Sequence, residues 1–222
     1  MPQNLNKKKF LVTAGPVWVP IDKVRVITNI FGGSLGLIIA IEAARRGAEV
    51  KLLLGPGRVK VPDQLPPSLT LVRFKYFDEF SKLVQDSLQK EDFDVVIHSA
   101  AVADYRPVEF KEGKIKSLQE DLTIHFQPTP KIVDKMKQWN HGIFLVKFKL
   151  EAGLSNEALI ERAYKSMIHS RADLMVANNF RDVKETSHQA FIIDQEKNIT
   201  PAENKEEIAQ KLLDVVNKKI IH

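Results

Sequence analysis

The sequence contains no cysteine at all, which excludes disulfides, thiolate zinc sites and a thiol nucleophile. It also has no apolar run long enough to cross a membrane. The first ten residues carry three lysines but lack the apolar core and the small-residue cleavage site of a signal peptide. We therefore expect a cytoplasmic protein without a membrane partner.

Positive charge is in only slight excess over negative charge. The 33 Lys and Arg residues face 28 Asp and Glu residues, for a formal net charge of +5. This excess suits a protein that handles phosphates, but it is scattered, and no basic stripe indicates nucleic-acid binding. The six histidines show no metal-ligand spacing, so we expect no metal site built by the protein. The 222 residues, 44% of them hydrophobic, are enough for one domain that spans residues 1–222.

Short apolar runs alternate with segments of helical period, as is typical of parallel strands joined by crossover helices. We therefore predict an α/β fold: a Rossmann-like three-layer sandwich with a mainly parallel sheet and an irregular excursion near residues 105–130. The predicted strands are 10–13, 49–54, 70–73, 94–98, 122–125, 143–146, 173–176 and 190–193. The predicted helices are 34–46, which stops at Gly47, and 77–89, 156–170 and 204–219.

The first strand–loop–helix junction has unusual spacing. The first strand runs into Gly15, but the glycines that open the helix, Gly32 and Gly33, follow a 16-residue insertion. A dinucleotide site needs its glycines in one tight turn, so the spacing argues against NAD(P) binding. The backbone N–H groups of Gly33 and Ser34 could still bind a phosphate at the positive end of the helix dipole. A glycine-rich helix start without a ligand is the alternative.

Two polar residues precede these glycines. Arg25 could bind a phosphate or carboxylate through two parallel hydrogen bonds. Asn29 offers both a donor and an acceptor, which could steady a developing oxyanion. From composition alone, both could instead be surface or loop-tethering residues.

Six sequence blocks resemble those of the phosphopantothenoylcysteine synthetase family, in the same order and spacing. They are TAGPVWVPIDKVRVITNIFGGSLG, HSAAVADYRP, KIKS, QPTPKIV, VKFKLEA and ADLMVANN, and they cover the chain from residue 10 to about 194. The family reads TAGGTxEPIDxVRxISNxSSGxMG, AAAVADYRP, KxKK, NPTPDIV, VGFxxET and xDxIVAN. The resemblance implies a ligase. The carboxylate of phosphopantothenate attacks the α-phosphorus of a nucleoside triphosphate, pyrophosphate leaves, and the amine of cysteine then displaces the nucleotide.

The resemblance also implies roles for the matched residues. Asn29 and Lys114 are the expected catalytic residues, because Asn29 holds the acyl-nucleotide and Lys114 neutralises phosphate charge as it forms. Arg25, together with Asn29, is expected to bind phosphopantothenate. The residues expected to bind the nucleotide are Gly15, Gly33, Ser34, Ala100, Ala101, Val102, Asp104, Lys116, Pro128, Thr129, Pro130, Lys131 and Phe148.

The chain departs from the family in its phosphate loop and in KxKK. Phe31 and Gly32 replace paired serines that reach the triphosphate in the family, so backbone N–H groups or Ser34 must make that contact. Ser117 replaces the last lysine of KxKK.

The helix before VANN departs at positions that bear on nucleotide choice. Ser166 and Ser170 stand where bacterial members carry two lysines that help select CTP. Lys165 and Arg171 are each one residue away, which turns a side chain about 100° around the helix. We expect CTP, with ATP as the alternative, and Mg²⁺ bound with the triphosphate.

The expected partners are phosphopantothenate, cysteine and the nucleotide. We also expect a homodimer in which a loop of one subunit covers the other's site, with residues 105–120 or their neighbours taking part. The length leaves no room for the flavin-dependent decarboxylase fused to some members, so we expect a monofunctional ligase. One alternative is a short-chain dehydrogenase-like NAD(P)-binding oxidoreductase, although its Tyr-x-x-x-Lys pair is missing. The other is a non-catalytic ligand-binding relative.

Overall fold

The computed structural model describes residues 4–116, 121–183 and 187–220. The strands are β1 (Lys9–Ala14), β2 (Val19–Pro20), β3 (Val26–Ile27), β4 (Glu49–Leu54), β5 (Leu69–Arg73), β6 (Val95–His98), β7 (Tyr105–Pro107), β8 (Phe126–Pro128), β9 (Phe144–Glu151), β10 (Leu174–Asn179), β11 (Ala190–Asp194) and β12 (Ile199–Ala202). The helices are α1 (Ser34–Arg45), α2 (Phe77–Lys90), α3 (Ile132–Trp139), α4 (Asn156–His169) and α5 (Lys205–Ile220), with a 3₁₀ turn at Phe180–Asp182.

The central sheet has the order β12-β11-β10-β9-β6-β1-β4-β5 in the described part of the chain. Six neighbouring strands of this sheet are parallel: β10, β9, β6, β1, β4 and β5. Strands β11 and β12 extend the β10 edge and are antiparallel to their neighbours. Along the parallel part, the chain builds outward from β1 to β5 and then from β6 to β10. This doubly wound order reverses between β1 and β6, which is where such sheets bind ligands.

Helices cover both faces of the sheet, as predicted for a three-layer sandwich. On one face, α1 and α5 bury Leu37 and Leu212 against the sheet. On the other, α2, α3 and α4 bury Phe80, Met136 and Leu159. Because the parallel strands are covered on both sides, their residues are apolar at consecutive positions.

The four predicted helices are confirmed, with ends that differ by at most one residue. Gly47 ends α1 as predicted: its φ of 96° lets its N–H bond to the carbonyl oxygen of Ala44 at 3.0 Å. The predicted strand 122–125 is wrong, because that segment forms no strand and Leu122 is 55% exposed. The strand in this region is β8, which starts at Phe126 and pairs with β7. The sequence analysis missed α3 and β12.

The predicted irregular excursion is confirmed. Strands β7 and β8 pair as a small antiparallel ribbon outside the main sheet. Between them, residues 108–116 and 121–125 form no helix or strand, apart from an isolated bridge at Lys111. Ser117, the departure noted in KxKK, lies outside the described residues.

Candidate active site

Three glycine-bearing segments meet at the carboxyl end of β1. A Cβ atom added to Gly33 would lie 2.8 Å from the Cα atom of Gly15, and one added to Gly57 would lie 2.0 Å from the carbonyl oxygen of Gly32. Gly15 and Gly33 also have φ angles of 81° and 89°, which side chains disfavour. The 16-residue insertion that carries β2 and β3 therefore does not separate these glycines. The fold brings into contact what the sequence spacing keeps apart.

Helix α1 starts from this contact without a side-chain cap. Its N-cap residue is Gly33, and its first turn has no acidic residue. The first N–H groups of a helix have no acceptor within the helix, and they carry the positive end of its dipole. Ser34 thus opens a helix end whose donors suit an anion such as a phosphate.

Backbone hydrogen bonds join the loops that follow β1 and β6. The N–H of Ala101 donates to the carbonyl oxygen of Gly15 at 2.9 Å, and the carbonyl oxygen of Ala101 accepts from the N–H of Val17 at 3.2 Å. The same carbonyl accepts from Nδ2 of Asn29 at 2.9 Å. Asn29 is therefore fixed at the point where the strand order reverses, and its amide oxygen can still accept a hydrogen bond from a ligand.

The loop after β6 is also bound to the segment that leads into α3. Thr129 donates its N–H to the carbonyl oxygen of Asp104 at 2.9 Å and its hydroxyl to that of Ala103 at 2.6 Å. The side chains of Asp104 and Lys131 form an ion pair. Two of the segments expected to bind the nucleotide, 100–104 and 128–131, are thus neighbours in the fold.

Asp22 ties the β2–β3 loop to the excursion. Its buried carboxylate accepts from the N–H groups of Val24 (2.8 Å), Arg25 (2.6 Å) and Ile115 (3.0 Å), and from the guanidinium of Arg25 at 2.5 Å. The Ile115 N–H above all, helped by the other donors, holds the pKa of Asp22 well below its usual range. Arg25 also donates through both terminal nitrogens to the carbonyl oxygen of Ile115, at 3.3 Å.

These contacts place two lysines that are expected to bind phosphate beside Arg25. Lys114 and Lys116 flank Ile115 and are exposed. Within the part of the chain that the structure describes, neither side chain makes a hydrogen bond or an ion pair, so both ammonium groups can meet an anion. Arg25 itself is partly occupied by Asp22, so it holds the excursion in place in addition to any contact with substrate.

Phe148 is placed apart from the other residues expected at the nucleotide base. It packs against the core beneath α1 and α5, whereas α3, which follows Lys131, packs on the opposite face. The two walls of the expected base pocket therefore lie on different faces of β9. They can meet only at the carboxyl edge of the sheet.

The sequence analysis missed a row of polar side chains beneath this edge. Thr13, His98 and Lys147 stand opposite one another on β1, β6 and β9. Thr13 Oγ1 and His98 Nδ1 are 2.9 Å apart, and the imidazole stacks on Phe80 with the centroids 6.1 Å apart. Burial, together with the charge of Lys147, lowers the pKa of His98 to about 4, so this histidine is neutral at pH 7. Strand register alone could have indicated this row, once the strand order was known.

The described residues contain no group of three His, Cys, Asp or Glu side chains that could hold a metal ion. None of the helices within those residues is long and apolar enough to cross a membrane.

Comparison with known proteins identifies the family. The family model described as the DNA/pantothenate metabolism flavoprotein C-terminal domain matches residues 5–220. The chain belongs to this family. The resemblance seen in the six sequence blocks is thereby confirmed.

Relatives of this flavoprotein C-terminal domain family share both sequence and fold. A coenzyme A biosynthesis bifunctional protein CoaBC from Thermococcus kodakarensis is 35% identical over 99% of the chain. The structure of the DNA/pantothenate metabolism flavoprotein from Streptococcus pneumoniae is similar, with a TM-score of 0.85 at 31% identity over 96% of this chain and 99% of that one. The C-terminal domain of a CoaBC protein has a TM-score of 0.79 at 27% identity, covering 98% of both chains. The match covers 53% of the Thermococcus protein, so the chain spans about half the length of that relative.

Proposed function

We propose that this chain is a phosphopantothenate–cysteine ligase of coenzyme A biosynthesis. The observation that carries the proposal is the contact of Asn29 with Ala101, which joins two of the six family blocks at the reversal of the strand order. The 35% identity to a coenzyme A biosynthesis protein supports the same function. No observation in the structure favours the dehydrogenase-like or the non-catalytic alternative.

The reaction starts with two anions that repel each other, so cations and N–H donors must surround the triphosphate. We assign the backbone N–H groups around Gly33 and Ser34 to its phosphates. Lys114 and Lys116 lie on the excursion and neutralise charge as the carboxylate of phosphopantothenate attacks the α-phosphorus. The bond from that phosphorus to the bridging oxygen breaks, and pyrophosphate leaves. The other residues expected at the nucleotide are Gly15, Ala100, Ala101, Val102, Asp104, Pro128, Thr129, Pro130, Lys131 and Phe148.

The second step forms the amide. The amine of cysteine attacks the acyl carbon, loses a proton, and expels the nucleoside monophosphate. Asn29 is held by Ala101 through its NH₂ group, so its amide oxygen or its second N–H can orient the acyl-nucleotide. Arg25, beside the excursion, binds the anionic substrate.

Mg²⁺ accompanies the nucleotide in this proposal. We expect this ion to be held mainly by phosphate oxygens rather than by the protein. Its contribution is to mask phosphate charge. CTP is the expected nucleotide and ATP the alternative, and the cytoplasmic location expected from the sequence stays a prediction.

A homodimer is also part of the proposal. Apolar side chains on the excursion are exposed: Tyr105, Val108, Phe110, Leu122 and Phe126. A second copy of this chain could bury them, as the family's shared loop would require. Sedimentation of the protein should give twice the mass of the chain, whereas a variant with Val108→Glu and Leu122→Glu should sediment as a monomer.

The direct test incubates the protein with phosphopantothenate, cysteine, Mg²⁺ and either CTP or ATP. Because the chain has no cysteine, a thiol label followed by mass spectrometry reports only substrate and product. We expect pyrophosphate and the labelled amide product in equal amounts, and neither when phosphopantothenate is omitted. Silence with both nucleotides would contradict the proposal. An Asn29→Asp variant should lose at least 100-fold in rate, and turnover at the full rate would remove Asn29 from its role.

A further inference from the structure

Lys147 is a partly buried cation whose described hydrogen-bond partner is a neutral hydroxyl. It lies on β9 between His98 of β6 and Met175 of β10. Its ammonium donates to the hydroxyl of Ser166 on α4, with 3.2 Å between Nζ and Oγ. Within the part of the chain that the structure describes, no carboxylate oxygen lies within 4 Å of this Nζ. Burial, above all, lowers the pKa of Lys147 below its usual value of 10.5.

The charges around Lys147 are mostly of the same sign. Lys131 and Lys149 both act to lower its pKa, and Asp134 acts in the opposite direction. Lys131 is engaged by Asp104, and Lys149 lies 3.1 Å from Glu151. Of Lys131, Lys147 and Lys149, only Lys147 has a neutral hydroxyl as its sole partner among the described residues. A half-buried ammonium with such partners lowers folded stability, and an anionic or acceptor-rich ligand would offset that cost.

The sequence around this lysine departs twice from the family. This chain has Lys147 and Ser166, where the resemblance described above implies glycine in the block VGFxxET and a lysine on the helix of bacterial members. The two departures meet in space, because the Lys147 ammonium contacts the Ser166 hydroxyl. Lys147 therefore brings an ammonium from the strand to the position of Ser166 on the helix.

The neighbours of Ser166 cannot fill that role. Lys165 points to solvent, with 76% of its side chain exposed, and it lies 3.9 Å from Glu161. Ser170 is buried and donates its hydroxyl to the carbonyl oxygens of Ser166 and Met167. The rotation of about 100° per residue thus carries Lys165 away from the sheet.

We propose that Lys147 binds the nucleoside triphosphate, supplying from β9 the ammonium that bacterial relatives supply from the helix position of Ser166. This inference rests on the proposed function. The acceptors that we assign to this ammonium are the carbonyl and ring nitrogens of the base. Residues 128–131, expected at the nucleotide, lead into α3, which packs on the same face of the sheet as the α4 helix that Lys147 contacts. A lysine at this position therefore contributes to the choice of nucleotide.

The test measures binding of CTP and of ATP by calorimetry in the presence of Mg²⁺, which needs no turnover. In Lys147→Met, we expect the Kd of the preferred nucleotide to rise about tenfold, which is about 1.4 kcal/mol. The KM for phosphopantothenate should stay within twofold. The melting temperature should hold or rise, because the substitution removes a buried charge. The matched control is Lys165→Met, which removes an exposed lysine next to Ser166 and should leave the Kd unchanged.

A second pair of variants tests the equivalence of the two positions. Lys147→Gly should weaken nucleotide binding as Lys147→Met does, and the double variant with Ser166→Lys should recover it to within threefold. An unchanged Kd in Lys147→Met overturns the inference, and so does a double variant that binds no better than Lys147→Gly. Failure of the proposed function looks different: the unaltered protein would bind nucleotide but release no pyrophosphate.

Discussion

Two parts of the candidate site are built in different ways. Around β1 and α1, the site is made of backbone: a Cβ atom added to Gly15, Gly33 or Gly57 would lie 3.1, 2.8 or 2.0 Å from a neighbouring backbone atom. Around β6, β9 and the excursion, it is made of side chains held by charge, as in the pairs Asp22–Arg25 and Asp104–Lys131. The backbone part offers N–H groups, which would bind the phosphates of CTP and of ATP in the same way. The chain departs from the family blocks in both parts, since Gly32 belongs to the backbone part and Lys147 to the side-chain part.

The largest effect is expected from adding one methyl group to the backbone part. Gly33→Ala places a Cβ atom 2.8 Å from the Cα of Gly15 and forces alanine into a φ of 89°. The conformation alone costs about 1–2 kcal/mol, and the clash must move the backbone in addition. We expect the free energy of unfolding to fall by at least 2 kcal/mol and ligase activity by at least 100-fold. Denaturant unfolding and the pyrophosphate assay measure the two effects.

Gly153→Ala separates the two causes. Gly153 has a φ of 76°, but a Cβ atom there would meet nothing within 4 Å. Its loss of stability therefore reports backbone strain without a clash. If Gly33→Ala costs no more than Gly153→Ala, the close contact of the two glycine segments is not a constraint, and the contrast between backbone and side-chain parts fails.

A smaller effect is expected in the side-chain part. Asp22→Asn keeps the shape but replaces one acceptor oxygen by an NH₂ group facing N–H donors. We expect a loss of about 2 kcal/mol in the free energy of unfolding. The KM for phosphopantothenate should rise about tenfold, because Arg25 and Ile115 lose their shared anchor. Glu112→Gln is the control on the same excursion, since its side chain is 85% exposed. Equal behaviour of the two variants would show that Asp22 does not position the substrate side.

The smallest effect is a pH dependence at His98. Its pKa is about 4 in the folded protein, against 6.5 for the ordinary group, so the unfolded chain binds more protons between these values. Stability is therefore complete above pH 6.5 and falls as the pH drops toward 4, by about 1 kcal/mol at pH 5.5. His188, with the same lowered pKa, adds a similar loss. His98→Gln should remove about half of the decline between pH 7.5 and 5.5 in unfolding measurements. An unaltered decline would mean that His98 is not neutral in the fold.

The same contrast explains how much the sequence could predict. Hydrophobic period located the four long helices and the buried strands, because burial on one or both faces leaves a pattern in the residues. It failed at 122–125, where apolar residues such as Leu122 are exposed on the excursion. It missed α3, whose eight residues carry too short a pattern to distinguish. The family blocks led to Asn29 and Arg25, and their roles stay predictions.

Contacts between distant segments could not be read from spacing. Gly15 and Gly33 are in contact although an insertion separates them, because that insertion folds apart from the main sheet as the β2–β3 pair. The sequence did not single out Lys147, because only the order of β6, β9 and β10 places it beside His98 and next to Ser166. The glycine-to-lysine departure in VKFKLEA was the one sequence signal for it.

The account rests on one chemical claim: this chain joins a carboxylate to a nucleotide before it meets an amine. The direct measurement is a rapid quench of excess protein with phosphopantothenate, Mg²⁺ and CTP or ATP, with cysteine omitted, followed by mass spectrometry. The account predicts one acyl-nucleotide for each pyrophosphate released. Added cysteine should then convert it to the amide product and nucleoside monophosphate. Pyrophosphate that appears only when cysteine is present, with no acyl-nucleotide at any time, would contradict the claim.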